Sequence, residues 1–197
     1  MNTADTFVFF GIVGSGKGTQ IELLNKYLKE KNPDLKIINV YPGADFRKMA
    51  ADGNYTGGLV KSTLDKGYLQ PNFLSISLVG SVLINEMTED SVLITDGFPR
   101  TVIQAENFAN MMKFYGRHNI KIIYIELDKD EAVRRMKLRA RSDDTEEGMA
   151  NRFDQYVKDV LPSMDYFVDR PEYTIHQING KQSVEDVHKE IISSLNI

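Results

Sequence analysis

Residues 11–19 read Gly11-Ile12-Val13-Gly14-Ser15-Gly16-Lys17-Gly18-Thr19. This glycine-rich run follows an apolar stretch at 7–10, which is typical of a buried strand, and it leads into an amphipathic pattern that begins at Gly16. A strand, a glycine loop and a helix in this order form the context of a phosphate-binding loop, in which backbone N–H groups and a lysine surround phosphate oxygens. The sequence therefore predicts a nucleotide phosphate site at the start of the first helix.

Four further runs rich in Ile, Val, Phe or Tyr predict strands at 36–40, 91–95, 120–127 and 173–178. Helical patterns separate these runs, and buried strands that alternate with helices are typical of a parallel sheet covered on both faces. We therefore predict an α/β fold of three layers, with five parallel strands flanked by helices.

The clearest of the helical patterns precedes Pro162. Apolar residues recur there at the spacing of one helical face, at Phe153, Tyr156, Val157, Val160 and Leu161. Because proline cannot continue a helix without losing a backbone hydrogen bond, we expect Pro162 to break or restart this helix.

The amino-acid composition argues against several classes of protein. The 197 residues are 42% hydrophobic and 26% charged, which is ordinary for one globular domain. The formal charge of −4 disfavours a nucleic-acid or membrane-surface binder, because such proteins usually present a net basic face. With no cysteine there is neither a disulfide nor a thiolate zinc site, and the apolar run at 7–10 is too short for a signal peptide. We expect a cytoplasmic protein that is a monomer.

Basic residues nevertheless cluster near the predicted loops after strands. They are Lys17, Arg47, Arg100, Arg135, Arg139, Arg141 and Arg152. Phosphoryl transfer depends on positioning and on neutralising charge, and the planar guanidinium of arginine matches a phosphate with two parallel hydrogen bonds. The pattern therefore indicates a site that holds phosphorylated substrates.

A second motif, Asp96-Gly97-Phe98-Pro99-Arg100, follows the third predicted strand. Together with residues 14–20 it resembles the adenylate kinase family of nucleoside monophosphate kinases, and the likeness spans nearly the whole chain. Further matching positions are Gly43 with Arg47, the Gly67-x-Leu69-x-Pro71 segment, Gln104, the arginines at 135, 139 and 141, Asp143-Asp144, Arg152 and Ser183-Val184.

The resemblance implies a fold, a reaction and a cofactor. The fold is that of a P-loop kinase, with an insertion at 41–71 that binds the nucleoside monophosphate and a short lid at 139–147. The reaction is the reversible transfer of the γ-phosphoryl group of ATP to AMP, giving two ADP, with Mg²⁺ as cofactor. ATP and AMP are then the small-molecule partners, and neither a nucleic acid nor a membrane is expected.

The resemblance also implies roles for individual residues. Those implied for ATP are Gly14, Ser15, Gly16, Lys17, Gly18, Thr19 and Arg135. Those implied for AMP are Gly43, Arg47, Leu69, Gly97, Arg100, Gln104, Arg141 and Arg152. Those implied for catalysis are Lys17, Arg100, Arg139, Arg141 and Arg152, and Asp96 is implied to hold Mg²⁺ through water.

Two segments depart from the usual patterns. Gly18 stands where a Ser or Thr would follow the lysine of a generic phosphate loop, and residues 41–44 read Tyr41-Pro42-Gly43-Ala44 where the family has Ser-Thr-Gly-Asp. The second departure removes a threonine hydroxyl, so a kinase of UMP, CMP or another monophosphate is the alternative. A sensor that binds ATP without turnover, and a kinase of a small-molecule hydroxyl, are further alternatives.

Overall fold

The computed structural model of the protein describes residues 5–139 and 145–197, apart from the side chain of Arg139. Parallel strands form one sheet in the order β2-β3-β1-β4-β5. Their bounds are β1 (Thr6–Phe10), β2 (Ile37–Val40), β3 (Val92–Asp96), β4 (Ile120–Glu126) and β5 (Tyr173–Asn179). The five predicted strands are confirmed, with ends that differ by about one residue, as expected where strand ends fray.

Helices lie between the strands and cover both faces of the sheet. In the described ranges they are α1 (Lys17–Lys31), α2 (Pro42–Ala51), α3 (Tyr55–Leu64), α4 (Asn72–Glu86), α5 (Val102–Phe114), α6 (Lys129–Arg139), α7 (Glu146–Gln155), α8 (Leu161–Asp165) and α9 (Val184–Leu195). A π-helical segment, Tyr156–Val160, joins α7 to α8. None of the helices in these ranges combines the length and the apolar character needed to cross a membrane.

Strand β1 belongs to two hydrophobic cores. Its alternate residues Phe7 and Phe9 pack against α1 and α9, whereas Val8 and Phe10 pack on the opposite face against α4, α5 and α8. All four side chains are almost fully buried. A strand that is buried on both faces has no polar alternation, because successive side chains point to opposite faces and each of these faces is apolar.

The helix before Pro162 differs from the prediction at one position. Phe153 is buried but Val157 is 62% exposed, so the prediction that both lie on one helical face was wrong for Val157. The π-helical segment widens the turn between these two residues, and it shifts the residues that follow away from the 3.6-residue period. Pro162 lies in the first turn of α8, where a missing N–H costs little, and the helical path therefore continues through it.

The order of the strands places a crevice beside β1. The chain crosses from β1 over β3 to reach β2, and it later continues on the other side of β1 with β4. In open parallel sheets of this kind, ligands bind outside the carboxyl ends of the strands at the point where the order reverses. The loops that follow β1 and β3 meet at this point.

Candidate active site

A cleft of about 710 Å³ opens at the carboxyl ends of β1 and β3. The predicted site residues that line it are Gly14, Ser15, Gly16, Lys17, Gly18, Thr19, Gly43, Arg47, Leu69, Asp96, Gly97, Arg100, Gln104, Arg135 and Arg152. The side chain of Arg139 lies outside the described residues, as do Arg141, Asp143 and Asp144. Every predicted site residue whose side chain the structure describes is therefore on the wall of one cleft.

The phosphate loop is arranged around the side chain of Lys17. The Nζ of Lys17 donates hydrogen bonds to the carbonyl oxygens of Gly11, at 2.7 Å, and Ile12, at 3.1 Å. Gly14 has a φ of +89°, and a Cβ there would collide with the carbonyl oxygen of Ala132 on α6. Glycine is needed at this position both for the backbone angle and for the close approach of α6.

Gly97 and Arg100 form a tight turn after β3. The Nε of Arg100 donates a hydrogen bond to the carbonyl oxygen of Gly97 at 2.9 Å. Gly97 has a φ of +68°, and a Cβ there would occupy the space of the Arg100 guanidinium. This bond uses only Nε, so it fixes the base of the guanidinium without involving the two terminal nitrogens. Arg100 itself lines the cleft.

The electrostatics of Arg100 show which charges lie around it. Burial lowers the pKa of Arg100, the carboxylate of Asp96 opposes this change, and the positive charges of Arg152 and Arg47 lower the pKa further. A guanidinium nevertheless stays protonated in proteins, because its ordinary pKa is far above neutrality. The cleft therefore concentrates positive charge at one end, and an anionic ligand would relieve the repulsion between the arginines.

Gln104 is buried in the wall of the cleft, with only 2% of its surface exposed. Its Oε1 accepts a hydrogen bond from the backbone N–H of Arg100, and its Nε2 donates one to Oδ1 of Asn72. The hydroxyl of Thr101 also donates to Oδ1 of Asn72, and it accepts from the backbone N–H of Gln104 as the N-cap of α5. These bonds join the start of α5 to the start of α4.

The segment 41–44, which departs from the family pattern, forms the start of α2. Tyr41 is the N-cap residue, and its hydroxyl donates a hydrogen bond to Oδ1 of Asn39 at 2.9 Å. Pro42 occupies the first turn of the helix, where proline is favoured, and it lines the cleft together with Gly43. The wall of the cleft therefore carries a proline ring at the position where the family has threonine.

Arg135 on α6 also lines the cleft. Its Nε is paired with Glu131, and its Nη2 donates a hydrogen bond to the carbonyl oxygen of Gly180 at 2.8 Å. This second bond links α6 to the turn after β5, whose residues Gln182 and Ser183 also line the cleft. The guanidinium is therefore held in place on the wall of the cleft by two partners.

A turn at 66–69, which we call the acceptor turn, is bonded directly to α7. The side-chain amide of Asn151 donates to the carbonyl oxygen of Lys66, and the amide of Gln155 donates to that of Gly67. The Oε1 of Gln155 also accepts from the backbone N–H of Leu69. Gly67 has a φ of +76°, and a Cβ there would collide with the backbone of Gly148 on α7, so the two segments are in close contact.

The oxygen donors of the cleft fit a magnesium ion that keeps most of its waters. Asp96 and Thr19 line the cleft with a carboxylate and a hydroxyl, which are ligands that Mg²⁺ prefers. Over residues 5–139 and 145–197 there is no group of three acidic or histidine side chains that could enclose a metal ion. An ion here would therefore depend on water and on the phosphates of a bound nucleotide.

Asn72 and Gln155 were missed by the sequence analysis, although each left a signal. Asn72 directly follows Pro71, the last residue of a segment that matches the family. Gln155 lies three residues after Arg152 and therefore shares its helical face. Neither signal could be interpreted from the sequence, because the partners of both side chains are distant in the chain.

Comparisons with known proteins agree with this geometry. A family model described as adenylate kinase matches residues 9–171. The chain is 30% identical over 218 residues to an adenylate kinase of Dehalococcoides mccartyi, with 95% of this chain and 96% of that protein covered. It is 32% identical over 188 residues to adenylate kinase 1 of a Nostoc species, with 95% and 97% covered. An adenylate kinase of Corynebacterium diphtheriae gives the same identity and coverage.

Proposed function

This chain belongs to the adenylate kinase family, whose reaction is the reversible transfer of a phosphoryl group from ATP to AMP to give two ADP, and we propose that the cleft beside β1 and β3 is where this chain performs it. The observation that carries the proposal is the convergence of Lys17, Arg100 and Arg152 on one cleft, opposite the carboxylate of Asp96. Charge neutralisation is the main requirement of phosphoryl transfer, so this convergence is the expected catalytic feature.

The acceptor needs no general base. The phosphate of a nucleoside monophosphate is already an oxyanion near neutral pH, whereas a hydroxyl acceptor would need a carboxylate to orient or deprotonate it. Arg47 and Arg100 grip this phosphate and aim one of its oxygens at the γ-phosphorus of ATP. The new bond between this oxygen and the γ-phosphorus forms as the bond from the γ-phosphorus to the β-phosphate oxygen breaks. ATP thereby becomes one ADP and AMP becomes the other.

Several positive side chains together stabilise the negative charge that develops during phosphoryl transfer. Lys17 exchanges its carbonyl partners for the outer phosphate oxygens of ATP, because an ammonium group binds a phosphate oxygen more strongly than a neutral carbonyl. Arg152, together with Arg139 and Arg141, contacts the phosphoryl group while it is transferred. Arg135 lies against the adenine of ATP, and Gln104 binds the base of AMP.

Magnesium is part of the proposal. Asp96 would order the waters of the ion, with Thr19 beside the phosphates. When bound, Mg²⁺ neutralises the phosphates of ATP and holds them in one arrangement. Removal of Mg²⁺ with a chelator is expected to abolish turnover while leaving the far-ultraviolet circular dichroism spectrum unchanged.

The two insertions close the site. We propose that residues 41–71 bind AMP and that residues 139–147 form a short lid, which together exclude water from the transferring group. The alignment with the Nostoc protein spans 188 positions, about as many as the 95% of this chain that it covers, which supports a lid without a long insertion. We further propose a monomer that acts in the cytoplasm.

A panel of acceptors tests the proposed function. The purified protein is given Mg·ATP with AMP, CMP, UMP, GMP or dTMP, and ADP formation is followed by direct separation of the nucleotides. We expect kcat/KM for AMP to exceed that for UMP, GMP and dTMP by about 100-fold or more, because a site built to hydrogen-bond one base leaves buried groups unpaired with another. The preference over CMP should be smaller, because cytosine also carries an amino group next to an unprotonated ring nitrogen.

The panel also separates the alternatives. A preference for CMP or UMP would retain the fold and the mechanism but reassign the acceptor, with Pro42 in place of the threonine as the cause. Tight binding of ATP without turnover of any monophosphate would instead indicate a sensor and would contradict the proposal.

The acceptor turn gives a second prediction, for Gln155→Ala. This change removes the bonds from Gln155 to Gly67 and Leu69, so the turn keeps the bond from Asn151 to Lys66 but loses two of its described attachments to α7. We expect KM for AMP to rise about tenfold while KM for ATP stays within about twofold, because two hydrogen bonds contribute roughly this much. Steady-state kinetics with each substrate varied in turn measures the difference.

Two further variants interpret the result. Gln155→Glu keeps an acceptor for the Leu69 N–H but loses the donor to Gly67, and an intermediate KM for AMP is expected. Gln177→Ala removes an exposed amide on β5 that pairs with Glu126, away from the cleft, and should leave both KM values unchanged. Equal rises of both KM values in Gln155→Ala would show a general loss of structure rather than loss of the proposed attachment.

A further inference from the structure

We infer that Asn72 is a positioning residue that, together with the backbone N–H of Arg100, holds the side-chain amide of Gln104 in one orientation and thereby makes the acceptor site discriminate amino bases from oxo bases. The inference rests on the proposed role of Gln104 in binding the acceptor base. Asn72 is partly buried in the first turn of α4, and it is not among the residues that line the cleft.

The orientation of Gln104 is set at one end by a group that cannot change. The backbone N–H of Arg100 lies 2.9 Å from the amide of Gln104, and a peptide N–H is a donor in every state. The amide must therefore place its oxygen toward Arg100. A flipped amide would set two donors against each other and leave both of them buried without a partner.

Asn72 fixes the other end. When the oxygen of Gln104 faces Arg100, its Nε2 faces Asn72. Asn72 must then accept this hydrogen bond with its Oδ1. The hydroxyl of Thr101 donates to the same Oδ1, while its own oxygen accepts the backbone N–H of Gln104. The donors and acceptors thus form a closed set with a single consistent arrangement.

This arrangement leaves a defined pattern for a ligand. Among the described residues, Oε1 and Nε2 of Gln104 each make one hydrogen bond, although Oε1 has a second lone pair and Nε2 a second hydrogen. Gln104 lines the cleft, so a base in the cleft meets one acceptor and one donor with fixed positions. Adenine and cytosine offer the matching pair, an amino group next to an unprotonated ring nitrogen.

Oxo bases offer the reverse pair. Hypoxanthine, guanine and uracil place a carbonyl oxygen next to a ring N–H, so both positions would be mismatched. An unconstrained glutamine could rotate its amide and accept these bases, because the two ends of an amide are nearly equal in size. A flip of the Gln104 amide would lose the bond from the Arg100 N–H and the bond to Asn72 together. Asn72 therefore adds to the cost of the flip, and discrimination between the two classes depends on Asn72 as well as on Arg100 and Gln104.

The test compares AMP with IMP, which differ only in the amino or oxo group of the purine and its ring proton. We measure kcat/KM and equilibrium binding of both for the wild-type protein, Asn72→Ala and Asn72→Asp. The wild-type protein is expected to prefer AMP by about 100-fold. Asn72→Ala should reduce this ratio about three- to fivefold, the equivalent of one net hydrogen bond, and Asn72→Asp should restore it, because a carboxylate accepts both bonds.

The control is Asn107→Ala, which removes a partly exposed amide on α5 whose hydrogen bond, among the described residues, goes to Ile103 of the same helix. Its ratio of AMP to IMP should equal that of the wild-type protein. A ratio unchanged in Asn72→Ala, or a ratio not restored in Asn72→Asp, overturns the inference while the turnover of AMP by the wild-type protein still supports the proposed function. A wild-type protein that neither binds nor phosphorylates AMP overturns both. Thermal unfolding of each variant identifies any that fails to fold.

Discussion

Replacement of Lys17 by methionine is expected to lower kcat by about 10³-fold. A decrease of this size is typical when an enzyme loses one charged group that stabilises the transition state. The methionine retains the length of the side chain and removes its charge. In the structure the Nζ of Lys17 bonds to the carbonyl oxygens of Gly11 and Ile12, so the lysine also shapes the phosphate loop before nucleotide arrives. We therefore expect weaker binding of ATP as well, measured by titration calorimetry.

Two companion variants test whether charge alone is sufficient. Lys17→Arg keeps the charge but replaces a compact ammonium group by a wide planar fork, which does not fit between two backbone carbonyls, and we expect it to be nearly as inactive. Lys26→Met removes an exposed lysine of the same helix that pairs with Glu30, and it should retain wild-type activity. Full activity of Lys17→Met would remove this lysine from the mechanism.

Replacement of Arg100 by alanine is the second large effect. We expect kcat/KM for AMP to fall by about 10³-fold with KM for ATP nearly unchanged, because Arg100 lies beside Arg47 and Arg152 in the part of the cleft that we propose binds the acceptor. Arg100→Lys should recover little of this loss. A lysine cannot donate to the carbonyl oxygen of Gly97 and to two phosphate oxygens in the fixed directions of a guanidinium.

Arg170 supplies the matched control for Arg100. It is an exposed arginine whose guanidinium lies over the ring of Tyr166, remote from the cleft. Arg170→Ala should keep both kinetic constants, and any change in it would measure the general effect of removing one positive charge. If Arg100→Ala raised KM for ATP as strongly as KM for AMP, its assignment to the acceptor would be wrong.

The strands were predictable because their signal is local. The residues of β1 are buried on both faces, so residues 7–10 form an uninterrupted apolar run. The glycines that follow from Gly11 onward indicate the loop. The order of the strands could be inferred only from the resemblance to a family. Periodicity identifies a strand, but its neighbours depend on crossovers that the sequence does not encode locally.

The differences arose where one residue depends on a distant one. Val157 was predicted to share a helical face with Phe153 because a regular helical period was assumed, and the π-helical segment breaks this period. Gln104 was identified from its match to a family, but its burial and its bond to Asn72 became visible only once α4 and α5 were placed side by side. The roles of Arg139 and Arg141 stay predictions from the resemblance.

The bonds between Thr101, Asn72 and Gln104 also constrain how this site can evolve. The hydroxyl of Thr101 caps α5 and also donates to Asn72, so the atom that starts the helix belongs to the network that we infer selects the base. A substitution that relaxed the choice of base would weaken the start of the helix at the same time. We therefore expect lineages of this protein to drift freely at exposed positions of α5 but to change acceptor only through coordinated replacement of all three residues.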